Sequence, residues 1–431
     1  MRLTFYGGAQ EVGRSSVLLD DKGKNMMLDC GIKLGEKVEF PLIDDNELKR
    51  INEIVISHAH LDHSGYIPHV YSKRARPKIY STKPTRDLMG VLLADYNKIQ
   101  SGKGKRFFGQ KDVDDVMKDV KIVEYEERIR TKSFPFTYYN AGHIMGSAMT
   151  LVHTDGGILY TGDIATRKSR ILDGCKKNLK AETLLTETTY GKKEDILPSM
   201  KEASTKLVKI INETLDRGGH VVIPSFAVGR AQEILMTLDD YMRSGALAPT
   251  KIFIEGMINK ATRIYRHNAI YANDDIKRRI LMSEDDPFKS PNFHYSRSKT
   301  KEDVLKEPSI IVSTSGMLSG GPVMFYLEKL GTDPKNTLVF VGYQAEGTLG
   351  RRVLEGQRKI RIKDREIELK MKIERVKISG HADYNELLQF IKGINGLKRV
   401  FLMHGEKSDL KDELEKKYEI IVPRLLETYG V

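Results

Sequence analysis

The chain has 431 residues, too many for one ordinary hydrophobic core, so two domains are the first expectation. Hydrophobic residues at 40% and charged residues at 30% give a soluble, globular balance, and no apolar run approaches the ~20 residues that span a bilayer. The net charge of +12 favours a polyanionic partner, most commonly nucleic acid, and Cys30 and Cys175 as the only cysteines exclude a disulfide framework and a thiolate zinc site. Met1 to Phe5 has the look of a strand and lacks a signal-peptide layout, so a reducing cytoplasm fits and a membrane does not.

Residues 3–6 and 16–19 read as strands joined through the turn-prone Gly7, Gly8 and Gly13. A third strand runs from Lys24 and leaves Asp29 at its end. Asp29 is either a turn former or an acceptor that orients a ligand histidine. Next comes Ile54-Val55-Ile56-Ser57, a buried strand, followed at once by His58-Ala59-His60-Leu61-Asp62-His63. A strand end is stiff, so the loop leaving it can aim several ligands. His58 and His60 can reach one cation, while Asp62 and His63 can turn to a second. Imidazole mixed with carboxylate suits zinc or a similar borderline ion. A helix over 85–99 leads into a basic, glycine-rich loop at 101–106, which either touches phosphates or stays solvated.

His143 sits in a turn flanked by Gly142 and Gly146. Two further strands end in Asp163 and in Glu187, so the pattern of apolar strand and then metal or acid residue repeats. From residue 191 the texture changes. A long helix from Met200 precedes a strand over 220–224 and the turn Ser225 to Arg230, and later strands at 251–255, 309–312 and 337–341 alternate with helices. That alternation predicts a parallel, Rossmann-like sheet. His220, His267 and His294 are scattered and read as structural. Near Arg358 the β texture returns as a hairpin around Asp364 and Arg365. It is followed by Ser379-Gly380-His381-Ala382-Asp383, a helix, and a strand ending in His404. The expected organisation is one domain made of 1–190 and 356–431, with 191–355 inserted in it.

The strand-end groups suggest two cation sites. One would take His58, His60 and His143, the other Asp62, His63 and His404, and Asp163 would bridge them with its two oxygens. Two ions ~3.5–4 Å apart can activate water at neutral pH and offset charge on a phosphorane-like transition state. His381 is the candidate proton donor to a departing sugar oxygen, oriented by Glu187; the alternative makes His381 a further ligand. In the insertion, Ser225, Arg230, Ser315 and Gly316 lie between strand ends and helix starts, where N–H groups and a guanidinium can meet phosphates. Ser379 joins that set. The other reading is that these are plain tight turns.

Taken together, these residues resemble the metallo-β-lactamase superfamily and, within it, the β-CASP nucleases. His58 to His63 matches the superfamily's HxHxDH motif, and Asp29, His143 and Asp163 match its other metal-binding motifs. Glu187, His381 and His404 match the three additional motifs of the β-CASP group. The resemblance implies an α/β fold, an αββα sandwich with an inserted Rossmann-like β-CASP domain and RNA threaded between them. It also implies two Zn²⁺ per chain and hydrolysis to 5′-phosphate and 3′-hydroxyl ends. Ser379 to Asp383 is similar to the motif of archaeal cleavage and polyadenylation specificity factor homologues and of RNase J, and the short archaeal form without KH domains is the nearest match. RNA is the expected partner, as endonuclease or 5′-to-3′ exonuclease substrate, and a homodimer is compatible with it. A small-molecule hydrolase of the same superfamily and a non-catalytic RNA-binding subunit are the alternatives.

Overall fold

The computed structural model describes residues 1–35, 37–102, 104, 106–283, 285–295 and 301–431. Lys103 and Lys105 of the basic loop lie outside the described residues. The chain forms two compact units. The first holds Met1–Lys168, Leu172–Ile196 and Gly380–Val431, and the second holds Ser169–Ile171 and Leu197–Ser379.

The first unit contains two seven-stranded sheets. One runs, edge to edge, through Thr428–Gly430, Arg2–Gly7, Ser16–Asp21, Lys24–Leu28, Glu53–Val55, Lys78–Ser81 and Lys121–Ile122. The other runs through Glu419–Ile421, Arg399–Met403, Thr183–Glu187, Ile158–Tyr160, Ala148–Val152, Phe136–Asn140 and Arg128–Ile129. Side chains alternate along each strand, so one face of each sheet is apolar toward the other. Leu3, Phe5, Val17, Leu19, Met26 and Leu28 of the first sheet pack with Phe136, Tyr138, Tyr160, Leu185 and Phe401 of the second.

The outer face of the second sheet carries Met149, Leu159, Leu184, Val400 and Leu402, and the helix Tyr384–Lys392 covers it. Leu387, Phe390 and Ile391 fall on one face of that helix at the 3.6-residue period and are buried there. Nine residues make too short a helix to stand alone in water. Burial of these side chains, roughly 1.5–3 kcal/mol each, holds it to the sheet. Its first turn is closed by a capping box between Asp383 and Glu386.

The second unit is built on a six-stranded sheet in the order Phe293–Tyr295, Ile252–Ile254, Ile310–Ser313, Val221–Pro224, Thr337–Phe340, Lys372–Arg375. Every neighbouring pair is parallel, so both faces need cover and the strands read as continuous apolar runs. Helices Met200–Asp216 and Arg230–Arg243 cover one face through Leu207, Ile211, Ile234 and Leu238. Tyr326 and Leu327 of the helix Val323–Leu330 cover the other.

Three boundaries differ from the sequence reading, the first being that the first unit runs on to Ile196 instead of ending at 190. The hairpin of Lys359–Ile362 and Arg365–Glu368 forms around its expected turn, but Ile360, Ile362 and Ile367 enter the second unit's core. Lys372–Arg375 is that unit's edge strand, so the return to the first unit comes at Gly380 rather than 356. Alternation marks a strand's apolar face but not the core that face serves. In addition, Ser169–Ile171 belong to the second unit. There Glu233 accepts from the Ser169 hydroxyl (2.6 Å) and from the backbone N–H groups of Arg170 (3.2 Å) and Ile171 (3.3 Å). Among the described residues, no helix is long and apolar enough to cross a membrane.

Candidate metal centre

The histidine-rich loop is held from below before any ligand is considered. His60 precedes the short helix Leu61–Ser64, so Asp62 and His63 sit in its first turn. The carbonyls of Leu61, Asp62 and His63 accept from the backbone N–H groups of Ile32, Ser15 and Cys30 at 2.8–2.9 Å. Gly31 lies directly under this loop. A Cβ there would be 1.8 Å from the Asp62 carbonyl oxygen, so only glycine permits the approach.

Asp29, fully buried, takes a left-handed backbone with φ of 60° where its strand ends. One carboxylate oxygen accepts from the Ser57 N–H (2.6 Å). The other accepts from the Ser57 hydroxyl (2.6 Å), the Tyr160 hydroxyl (2.7 Å) and His63 Nδ1 (2.7 Å). With Nδ1–H donated to Asp29, His63 presents Nε2 to the site. The same logic fixes two other rings. His143 donates Nδ1–H to the Gly380 carbonyl (2.7 Å), and His404 Nδ1 pairs with the Ser15 hydroxyl (2.6 Å).

The remaining nitrogens converge on Asp163, which follows the strand Ile158–Tyr160. His58 Nε2 and His143 Nε2 lie 3.5 and 3.7 Å from Asp163 Oδ2, and each is 3.2 Å from His60 Nδ1. On the other side, His63 Nε2 and His404 Nε2 lie 3.4 and 3.7 Å from Asp163 Oδ1, and Asp62 Oδ2 is 3.9 and 3.7 Å from those nitrogens. Two groups that could hold a metal ion therefore share one carboxylate, an oxygen to each: His58, His60, His143 and Asp163, and then His63, Asp163 and His404; Asp62 lies beside the latter and also forms such a group with His58 and His63, across the two.

The residues fit a pair of cations on several grounds. Among the described residues, His63 Nε2 and Asp163 Oδ1 are buried with no hydrogen-bond partner, an arrangement that costs free energy unless a proton or a cation pairs with them. Burial, aided by His63, pushes His58 well below the usual imidazole range, and burial with His381 does the same to His143. Both are thereby held neutral, the form in which an imidazole can bind a metal ion. Burial works against charge on His63 and Asp163 as well. Yet the carboxylates of Asp163, Asp62 and Asp29 outweigh it and hold His63 well above the usual range, and His63 and His404 outweigh it to hold Asp163 well below the usual carboxylate range. The pocket thus favours one positive charge beside Asp163, which a proton or a metal ion can supply.

Beside these groups, Glu187 ends the strand Thr183–Glu187 and lies buried. Its oxygens are 3.0 and 2.9 Å from His381 Nδ1, and Oε1 also accepts from the Ile164 N–H at 2.7 Å. His381 Nδ1 stands 4.0 Å from Asp163 Oδ2, and its ring packs on that of His143 with centroids 4.5 Å apart. Asp163, Glu187 and His381 also form a group that could hold an ion, so the ligand reading of His381 keeps a geometric basis.

Residues that sequence reasoning passed over are Ser15, Ser57, Tyr160 and the Gly380 carbonyl, each a partner of a ligand or of Asp29. Ser57 carried a usable signal, since it lies between the end of its strand and His58, whereas Ser15, which only enters a strand, carried none. Ser225, Arg230, Ser315, Gly316 and Ser379 all fall in the second unit. Ser225 is buried and its hydroxyl donates to the Phe226 carbonyl, that of Ser315 donates to the Gly320 carbonyl, and the Gly229 N–H before Arg230 is taken by the Gln232 side chain. Gly316 packs against Phe226, where a Cβ would meet the backbone nitrogen at 2.9 Å.

Comparison with known proteins gives three family matches along the chain. Residues 17–190 match the metallo-beta-lactamase superfamily domain, 231–353 the Beta-Casp domain, and 366–423 the Zn-dependent metallo-hydrolase RNA specificity domain. An RNase J-like protein of Methanocaldococcus jannaschii is 40% identical over 94% of this chain and 92% of its own length. A transcription termination factor FttA of Methanothermobacter thermautotrophicus is 38% identical over 97% of this chain and 70% of its own. A crystal structure of a protein of unknown function from Enterococcus faecalis shares the fold at a TM-score of 0.63, with 15% identity over 99% of both chains.

Proposed function

The chain belongs to the metallo-β-lactamase superfamily, in its β-CASP branch with the archaeal RNase J-like and FttA proteins, and from that premise we propose that it is a zinc-dependent ribonuclease. It cleaves RNA phosphodiester bonds to 5′-phosphate and 3′-hydroxyl ends, in the cytoplasm, in RNA processing or decay. The observation that carries this reading is the sharing of Asp163 by two ligand groups with the His381–Glu187 pair beside it.

His58, His60 and His143 would hold one ion, Asp62, His63 and His404 the other, and Asp163 would give an oxygen to each. An all-nitrogen-and-oxygen donor set suits zinc in a catalytic rather than a structural role. Bound divalent ions supply Lewis acidity that polarises a phosphoryl oxygen and acidifies water. The chain's own residues do the rest. Asp29, Ser15 and the Gly380 carbonyl hold His63, His404 and His143 by their Nδ1 atoms and so keep each Nε2 turned toward Asp163. As water attacks phosphorus and the P–O3′ bond breaks, His381 gives its Nε2 proton to O3′ while Glu187 holds the imidazole by Nδ1, and the proton released by the attacking water passes to solvent, from which His381 is reprotonated. A complete ligand set argues for catalysis over RNA binding alone.

The test is cleavage of a 5′-labelled RNA by the purified chain with no addition, with a chelator, and with zinc restored. Cleavage that the chelator abolishes and zinc restores, leaving 5′-phosphate ends, is the expected result. Equal cleavage in all arms ends the reading.

A further inference from the structure

We infer that Arg167 is a positioning residue for His381: it fastens the chain just after the candidate proton donor to the chain just after Asp163. The inference rests on the ribonuclease reading for its activity arm only.

Residues 164–167 follow Asp163 and run alongside the segment that carries His381. The Ile164 N–H bonds Glu187, and the Ile164 carbonyl accepts from the N–H of Ala382, the residue after His381 (2.7 Å). The Thr166 hydroxyl donates to Glu386 Oε1 (2.7 Å), and Arg167 places Nη2 on Asp383 Oδ2 (2.8 Å) and Nε on Glu386 Oε1 (2.5 Å). The other two oxygens of these carboxylates close the capping box of the helix Tyr384–Lys392: Asp383 Oδ1 accepts from the Glu386 N–H, and Glu386 Oε2 from the Asp383 N–H, both at 3.0 Å. All four carboxylate oxygens are thus engaged, two within the cap and two from residues 166 and 167.

The Arg167 side chain is 47% exposed, whereas that of Asp383 is 1% exposed. Removing Arg167 would leave the buried Asp383 carboxylate short of a partner, so a stability cost is expected beside any positioning effect, and the two are told apart by kcat, zinc content and the imidazole signal. A planar guanidinium engaging two carboxylates is a geometric clamp, which a lysine reproduces only in part. The clamp fixes the helix start two residues past His381, and with it the imidazole's place relative to Asp163. Misplacement of a reacting group by about 1 Å can cost about 10²-fold in rate.

The experiment compares the full chain with Arg167→Ala and Arg167→Lys. It reads kcat and KM on RNA at saturating zinc, zinc stoichiometry, and the ¹H–¹⁵N signal of the His381 imidazole in the zinc-free chain. Arg167→Ala should lower kcat about 10- to 100-fold with KM and zinc content unchanged, and should broaden or split the imidazole signal. Arg167→Lys should recover part of both. Wild-type kcat and an unaltered imidazole signal in Arg167→Ala, or a loss confined to KM or to zinc content, would overturn the inference. If Arg167→Ala does not fold, Arg167→Gln is read in its place by the same criteria. If the intact chain cleaves no RNA, the ribonuclease reading fails, and the imidazole signal still decides the positioning role.

Discussion

The two units use the same device and end with opposite chemistry. Each sends loops from the ends of apolar strands. In the first unit the polar atoms at those ends are left facing one another, with His63 Nε2 and Asp163 Oδ1 buried, 3.4 Å apart and, among the described residues, without a hydrogen bond. In the second unit the equivalent hydroxyls of Ser225 and Ser315 bond the neighbouring backbone, and the Gly229 N–H is capped by Gln232. Buried polar groups are paired as a rule. Unpaired buried atoms occur in both units among the described residues, at Ser133 and Thr150 in the first and at Ser290 and Gln344 in the second, so the mark of a site is that they sit within a group of metal-capable side chains, as His63 and Asp163 do. By this criterion the first unit carries the stronger site, and the second unit's serines weigh less than their motif-like setting suggests.

The contrast can be broken at several points. The largest effect should come from Asp163→Ala, which removes one ligand atom from each group. Zinc content measured by elemental analysis should fall, and cleavage should drop by roughly 10⁴-fold or more. Full zinc content in that variant would mean that Asp163 bridges nothing. His381→Ala comes next, with cleavage down about 10²–10⁴-fold and zinc content intact, as fits a proton donor. Loss of zinc together with activity would instead make His381 a ligand. Ser15→Ala should weaken zinc binding about 10- to 100-fold by freeing the His404 ring, readable by competition with a chromogenic chelator. Smallest of all, Ser225→Ala should leave KM for RNA within about twofold of wild type, since its hydroxyl serves its own turn. A tenfold rise in KM would show that this turn meets the phosphate chain after all and would erase the contrast drawn above.

Much of this was legible in the residues. The histidine loop, Asp163, Glu187 and His404 stand out because each lies at or just past the end of an apolar strand, in one or the other of the first unit's two sheets. His381 does not, since the strand before it, Lys372–Arg375, is largely exposed, belongs to the second unit and ends six residues earlier. The parallel sheet of the second unit was legible from alternating strands and helices. What stayed hidden is what periodicity does not encode. Ile360, Ile362 and Ile367 show an amphipathic hairpin but not that it packs in the second unit. Nothing in Ser169 to Ile171 signals that Glu233, sixty-odd residues on, will take up their hydroxyl and N–H groups. Ser15 looks like any residue entering a strand until its hydroxyl is found on His404.

The central claim is that Asp163 lies between two metal ions, one on His58, His60 and His143 and the other on Asp62, His63 and His404. Anomalous diffraction at the zinc edge from crystals of the zinc-loaded chain tests it directly. The account predicts two peaks per chain flanking the Asp163 carboxylate, one within ligand distance of each histidine group. A single peak, or two peaks of which neither touches Asp163, would contradict it.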